Sequence, residues 1–204
     1  MNTHFSKINI TELEDRKRTA FVNSLSGFKS LNLIGTKNDD EVANLAIFNS
    51  VIHIGANPPL MGFVVRPDSV DRHTLTNIRN SGYYTINNVT KSIYKQAHQT
   101  SARYESSVSE FDAVGLHEIY KNNFFAPFVK ESTIQIGLKL NEIISINVNQ
   151  TYLVVGEILD VYFPQSALME DGNLNLDIAD SICGSSLNGY HETIPLEWMN
   201  YAKP

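Results

Sequence analysis

The sequence predicts a mainly β domain, an antiparallel barrel with peripheral helices. Three observations lead there. Ile134, Ile136, Leu138 and Leu140 alternate strictly with polar or small residues, which is the period-two pattern of a half-buried strand. Strand-like runs follow one another with helices inserted irregularly, without the βαβ alternation of a doubly wound sheet. The 204 residues, 42% apolar and 19% charged, suffice for one undivided core of barrel size.

Taken in order, the elements are these. Thr11 followed three residues later by Glu14 has the form of a capping box and predicts an N-terminal helix over about 11–25, ended by Ser26-Gly27. Its weak periodicity places it on the outside. Leu31, Leu33, Ile34 and Thr36 read as a strand, Lys37-Asn38-Asp39-Asp40 as a polar turn, and 45–54 as the return strand of a hairpin. Asn57-Pro58-Pro59 interrupts the ladder before a short strand over 60–66. A helix is predicted over 71–82, with Leu75 and Ile78 inward and Gly82 as its stop. A strand over 83–89, a helix over 92–100 and a polar stretch over 101–115 with a helical turn near Glu110-Phe111 come next. The clearest strands, from Ile134 and from 152 to about 163, should pair as a hairpin across the turn 147–150. After them the chain reads as a surface excursion with a turn at Asp171-Gly172, a polar loop over 184–190 and an extended C-terminal tail. No repeat and no composition shift marks a linker, so residues 1–204 are expected to form a single domain.

Charge and cysteine content narrow the function. Sixteen basic against 22 acidic residues give a formal charge of -6, and only Asp15-Arg16-Lys17-Arg18 gathers basic residues. Nucleic acid is therefore an unsuitable partner. Cys183 stands alone, which leaves no intramolecular disulfide or thiolate cluster and fits a reducing compartment. Residues 1–9 hold no apolar segment of signal-peptide length, and the longest apolar run, 60–65, is too short to cross a bilayer. A cytoplasmic protein without a membrane partner is the expectation.

Two segments could carry chemistry. Arg66-Pro67-Asp68-Ser69-Val70-Asp71-Arg72-His73-Thr74 puts arginines and hydroxyls at a strand end and a helix start, the donors that hold a phosphate. It can equally be ordinary capping by Ser69 or Thr74, with the arginines paired to Asp68 and Asp71. Asn44-Leu45-Ala46-Ile47-Phe48-Asn49-Ser50 mixes small, amide and apolar side chains, which suits a flat heteroaromatic ring but also a plain half-buried strand. No Gly-x-Ser-x-Gly elbow, His-Glu-x-x-His or dinucleotide fingerprint is present. His53 has no second ligand at a metal-site spacing, His191 reads as a surface residue, and Cys183 as a packing residue.

These segments occur in the order and spacing of a known family. Leu33-Ile34-Gly35-Thr36, Asn44 to Ser50, Asn57-Pro58-Pro59-Leu60-Met61-Gly62-Phe63 and Arg66-Pro67 resemble the flavin reductase-like, FMN-binding split-barrel proteins, which include flavoredoxin-type carriers. Tyr84-Thr85-Ile86-Asn87, Ala97 to Ala102, Ser109-Glu110-Phe111, Gly156-Glu157-Ile158 and Ser186 to Tyr190 continue the match. The resemblance implies a Greek-key split barrel and a homodimer holding FMN near its interface. The flavin would perform the redox chemistry, so no catalytic protein side chain is required. By resemblance, Ala46, Phe48, Asn49 and Ser50 would contact the ring, and Arg66, Pro67, Arg72, His73 and Thr74 the phosphate end. Ser101, Ala102 and Arg103 would add contacts, and His98 falls near the ring. Where many relatives have Lys-Asp-Thr before the helix, this chain has Arg72-His73-Thr74. The implied activity is transfer of reducing equivalents from NAD(P)H or another reductant to a flavin, small-molecule or protein acceptor. The alternative is an electron carrier or flavin-binding module without NAD(P)H turnover.

Overall fold

The computed structural model describes residues 2–203; Met1 and Pro204, the ends of the domain expected over 1–204, lie outside the described residues. Two helices open the chain where one was expected over 11–25: α1 (Lys7–Glu12) and α2 (Asp15–Ser24). The capping box sits five residues earlier than the sequence pattern suggests. The Ser6 hydroxyl accepts from the Asn9 amide, and the Asn9 side chain accepts from the Ser6 amide. The Thr11 hydroxyl instead donates back to the Lys7 carbonyl, so Thr11 and Glu14 form no box.

The strands follow as β1 (Lys29–Ser30), β2 (Asn32–Lys37), β3 (Ala43–Phe48), β4 (Ile52–Ala56), β5 (Pro59–Val65) and β6 (Tyr83–Asn88). Later come β7 (Glu118–Ile119), β8 (Phe128–Val129), β9 (Gln135–Ile146), β10 (Thr151–Tyr162), β11 (Cys183–Ser185) and β12 (Gly189–His191). Seven of them make one antiparallel sheet in the order β3-β2-β6-β9-β10-β5-β4.

The strand expected over 45–54 is in fact two, β3 and β4, standing at opposite edges of that sheet. The break falls at Ser50. Its side chain leaves the ladder and serves β5, the hydroxyl accepting from the Val64 amide and donating to the Val64 carbonyl, both at 3.1 Å. One side chain thus bridges the end of β3 to β5 and curls the sheet's two edges toward each other. The alternation in β9 loses phase after Leu140 for a related reason. Gly156 faces Leu140 and Val155 faces Glu142, so Asn141 is an extra residue, a bulge that reverses which side chains point inward.

The helix α3 (His73–Ser81) ends at Gly82, whose φ of 74° is the left-handed conformation that stops a helix cheaply only at glycine. It packs Leu75 and Ile78 against Ile34, Phe63, Tyr84, Ile86, Leu138 and Val154, the core enclosed by the large sheet. A second apolar layer lies on the other face of β2 and β3. There Leu33, Leu45 and Val89 meet Ala97 of α4 (Tyr94–Gln99) and Phe111 of α5 (Glu110–Val114). The polar loop expected over 184–190 is largely the hairpin β11–β12, with β11 also pairing with β1. Its serines and glycines carry no apolar alternation, so nothing local announced it. Among the described residues, no helix is long and apolar enough to cross a membrane.

Candidate functional site

Four pieces of the chain enclose a cavity of about 650 Å³, within the size range of small-molecule sites. One wall is β3 and the corner that follows it, from Asn44 to Ser50. The far end is built where β5 runs out and α3 begins, by Arg66, Arg72, His73 and Thr74. The segment after α4 supplies Ser101, Ala102 and Arg103, and the β11–β12 hairpin supplies Ser186 and Tyr190 on the remaining side. Residues more than 100 positions apart in sequence therefore face one space.

The corner is fixed by its own bonds. Besides the two bonds from Ser50 to Val64, the Asn49 side-chain amide donates to the Ser186 carbonyl at 3.0 Å and ties the wall to the hairpin. Phe48 meets Phe63 edge to face at 4.9 Å, which holds the ring rigidly in place. This end offers a firm, largely apolar surface with backbone close by.

The α3 end is different. Arg72 precedes the helix and provides no side-chain cap, and neither Ser69 nor Thr74 caps it. Asp68 turns away to the Tyr152 hydroxyl (3.1 Å) and to Arg79 (3.3 Å), and these bonds, that from Tyr152 foremost, hold its carboxyl below the usual range. Among the described residues no carboxylate pairs with Arg66, Arg72 or Arg103. The capping-and-pairing alternative for this segment therefore does not describe the fold. Burial, and then the like charges of Arg66 and Arg103, push the Arg72 guanidinium below its ordinary value. Asp71, Glu105 and Glu110 line the same cavity, but none is in an ion pair with these guanidiniums, and a cluster of unpaired guanidiniums at a helix start is a candidate anion site.

Thr74 is oriented for the same task. Asn44 donates to the Thr74 hydroxyl oxygen at 3.1 Å and to Thr36 at 3.2 Å, and Asn77 donates to Thr36 at 3.1 Å. With its oxygen occupied from behind, the Thr74 hydroxyl keeps its proton to donate.

Eleven of the twelve residues expected at the site, all but Pro67, line the cavity. Pro67 stands behind it, its carbonyl accepting from Arg72 Nε at 3.1 Å, so it positions the guanidinium rather than facing a ligand. His98 also lines the cavity, bonded at 2.8 Å to the Tyr190 hydroxyl, whose pKa burial raises. His53 lies exposed on β4. The residue that sequence reasoning missed is Glu110. It begins α5, is 5% exposed, lines the cavity, and accepts from the Leu45 amide at 2.9 Å. Desolvation pushes its carboxyl up, while the Leu45 amide and the nearby His73 pull the other way. The sequence marked Glu110 only as part of a helical turn and of the family match Ser109-Glu110-Phe111 and gave it no place at the site, because an acidic residue in the first turn of a helix is ordinary and its burial is a tertiary fact.

Comparison with known proteins agrees with this construction. Residues 28–182 match the family model for the flavin reductase like domain. A crystal structure of a presumed flavin reductase with a split barrel domain from Shewanella frigidimarina NCIMB 400 is 50% identical, with a TM-score of 0.95. The match covers 98% of this chain and 100% of that one, too much to leave out the segment after His191. Nitrilotriacetate monooxygenase component B from Bacillus cereus shares the fold at 18% identity, with a TM-score of 0.84 over 97% of this chain and 100% of its own. The flavoredoxin of Desulfovibrio vulgaris (Miyazaki F) does so at 21% identity, with a TM-score of 0.75 over 86% and 92%.

Proposed function

The chain belongs to the flavin reductase-like domain family, and on that premise we propose that it is an FMN-binding oxidoreductase. It takes reducing equivalents from NAD(P)H or another reductant and passes them to a flavin, small-molecule or protein acceptor. The observation that carries this reading is the set of guanidiniums of Arg66, Arg72 and Arg103 at the start of α3, in no ion pair among the described residues and in the same cavity as the β3 corner. A cationic end and a firm flat wall suit a ring that carries a single phosphate group.

The residues present fit that group. Arg66, Arg72, Arg103 and the Thr74 hydroxyl would hold the phosphate, with the first amides of α3 and with His73, Ser101 and Ala102 beside them. Ala46, Phe48, Asn49 and Ser50 would line the ring. When bound, FMN supplies the hydride and electron transfer. The chain's own part is to orient it, to keep water from one face with the β3 wall, and to neutralise its phosphate in an otherwise acidic protein.

Protein incubated with FMN and then desalted should keep a visible flavin spectrum; a colourless product overturns the reading. Anaerobic stopped-flow mixing of the loaded protein with NADH and with NADPH should then bleach the flavin. The missing dinucleotide fingerprint favours a second reading, a flavoredoxin-like carrier reduced by a partner. Bound flavin that neither nucleotide bleaches would select it.

A further inference from the structure

Thr36 ends the segment Leu33-Ile34-Gly35-Thr36, yet it takes no part in the wall of the cavity. It is fully buried near the end of β2, with Asn44 of β3 as its register partner. Asn77 of α3 is buried as well and also stays off the wall. One chain of hydrogen bonds joins both to the cavity. The Asn77 amide donates to the Thr36 hydroxyl oxygen, and the Asn44 amide donates to Thr36 and to Thr74. Of these four side chains, only Asn44 and Thr74 reach the cavity. Buried polar groups cost stability unless each is paired, and apolar residues of the same shape could fill the space equally well. A polar cluster placed directly behind the α3 end therefore points to a task at that end.

The Asn44 side chain has two ways to stand. With its amide toward the threonines it donates to both hydroxyl oxygens and leaves the Thr74 proton for the cavity. Turned over, its carbonyl oxygen would accept from Thr74, and that proton would be spent inside the protein. The two orientations make unequal demands. An amide has two protons to place, whereas a carbonyl oxygen is satisfied by one donor. Thr74 and Thr36 are the two acceptors that the donating orientation needs. Without the Thr36 hydroxyl, one amide proton would be buried and unpaired, and the turned-over state would be favoured.

We propose that Thr36 is a positioning residue for phosphate: its hydroxyl holds Asn44 in the donating orientation and so keeps the Thr74 hydroxyl a donor to an anion at the start of α3. Asn77 anchors Thr36 from the same helix that carries Thr74. The proposal rests on the reading of the cavity as an FMN site. It assigns part of the preference for the phosphorylated flavin to a buried side chain that acts through two others.

Calorimetric titration of the ligand-free protein with FMN and with riboflavin separates the outcomes. Thr36→Val keeps the shape and deletes the hydroxyl. It should weaken FMN about tenfold, as expected for one hydrogen bond to a charged group, and riboflavin less than about threefold. Thr36→Ser, which restores the hydroxyl, should bring FMN back to within about threefold of the wild type. Thr74→Val alone should show the same FMN-selective loss, and it carries the test if Thr36→Val does not fold. In the Thr74→Val background, adding Thr36→Val should leave the ratio of FMN to riboflavin affinity unchanged, because the route to the ligand is already gone. Where the wild type prefers FMN, three results each overturn the proposal alone: equal loss of both flavins in Thr36→Val, full FMN preference in Thr74→Val, or additive losses in the double variant. A wild type that binds FMN no more tightly than riboflavin overturns the phosphate reading and the proposal together.

Discussion

The two ends of the cavity solve opposite problems. At the β3 corner the polar groups are satisfied by the protein itself, Ser50 by Val64 and Asn49 by the Ser186 carbonyl. At the start of α3 the charges lack an ion pair among the described residues: Arg66 and Arg103 repel Arg72, whose guanidinium is held only by the Pro67 carbonyl. The corner is rigid before any ligand arrives and discriminates by shape. The α3 end carries an electrostatic cost that an anion relieves, so it contributes affinity rather than form.

Replacing both Arg66 and Arg72 with alanine should give the largest effect. Hydrogen bonds to charged groups contribute about 1.5–3 kcal/mol each, so FMN affinity should fall roughly 100-fold or more. Riboflavin, which lacks the phosphate, should lose less than about threefold on the same principle of separable contacts. Removing mutually repelling charges should leave the ligand-free protein as stable as before, read by thermal unfolding. Equal losses for FMN and riboflavin would erase the distinction between the two ends.

Ser50→Ala strikes the other end and should show the opposite signature. It leaves the Val64 amide and carbonyl without their partner at the corner, which should cost about 1–3 kcal/mol of stability in urea titrations of the ligand-free protein. FMN and riboflavin should then weaken by the same modest factor, since the wall loosens for both. A variant that loses FMN selectively would place the phosphate at the wrong end of the cavity.

The same contrast explains what the sequence could and could not disclose. Strand β10 and the first half of β9 were legible because alternation is a local property, and the end of α3 was legible because Gly82 stops a helix by its own conformational freedom. The break at Ser50 was hidden, because the apolar pattern runs through it from Leu45 to Ile54 and only the bond to Val64, 14 residues on, ends the strand. The α3 end was visible as a composition, arginines and hydroxyls in an acidic chain. Whether those arginines were paired was a tertiary fact, settled by Asp68 turning to Arg79 and Tyr152. Pro67 shows the limit of reading by proximity in sequence: it adjoins Arg66 yet stands behind the wall.

Glu110 tests the comparison most finely, because it brings a carboxylate into the cavity whose far end collects cations. Burial raises its pKa above the unfolded value of about 4.3, so the folded chain binds the proton more readily than the unfolded one. Its contribution to stability is therefore full below the unfolded value and is lost as pH rises through the folded one. Glu110→Gln keeps an acceptor for the Leu45 amide but carries no charge. The variant should match the wild type in urea midpoint near pH 4 and exceed it increasingly toward pH 7.5. It should also bind FMN a few-fold more tightly at neutral pH, through loss of repulsion with the phosphate, and leave riboflavin unchanged. If the stability gain were instead greatest in acid, the Leu45 amide and His73 would outweigh desolvation, and Glu110 would belong with the self-satisfied corner rather than with the charged end.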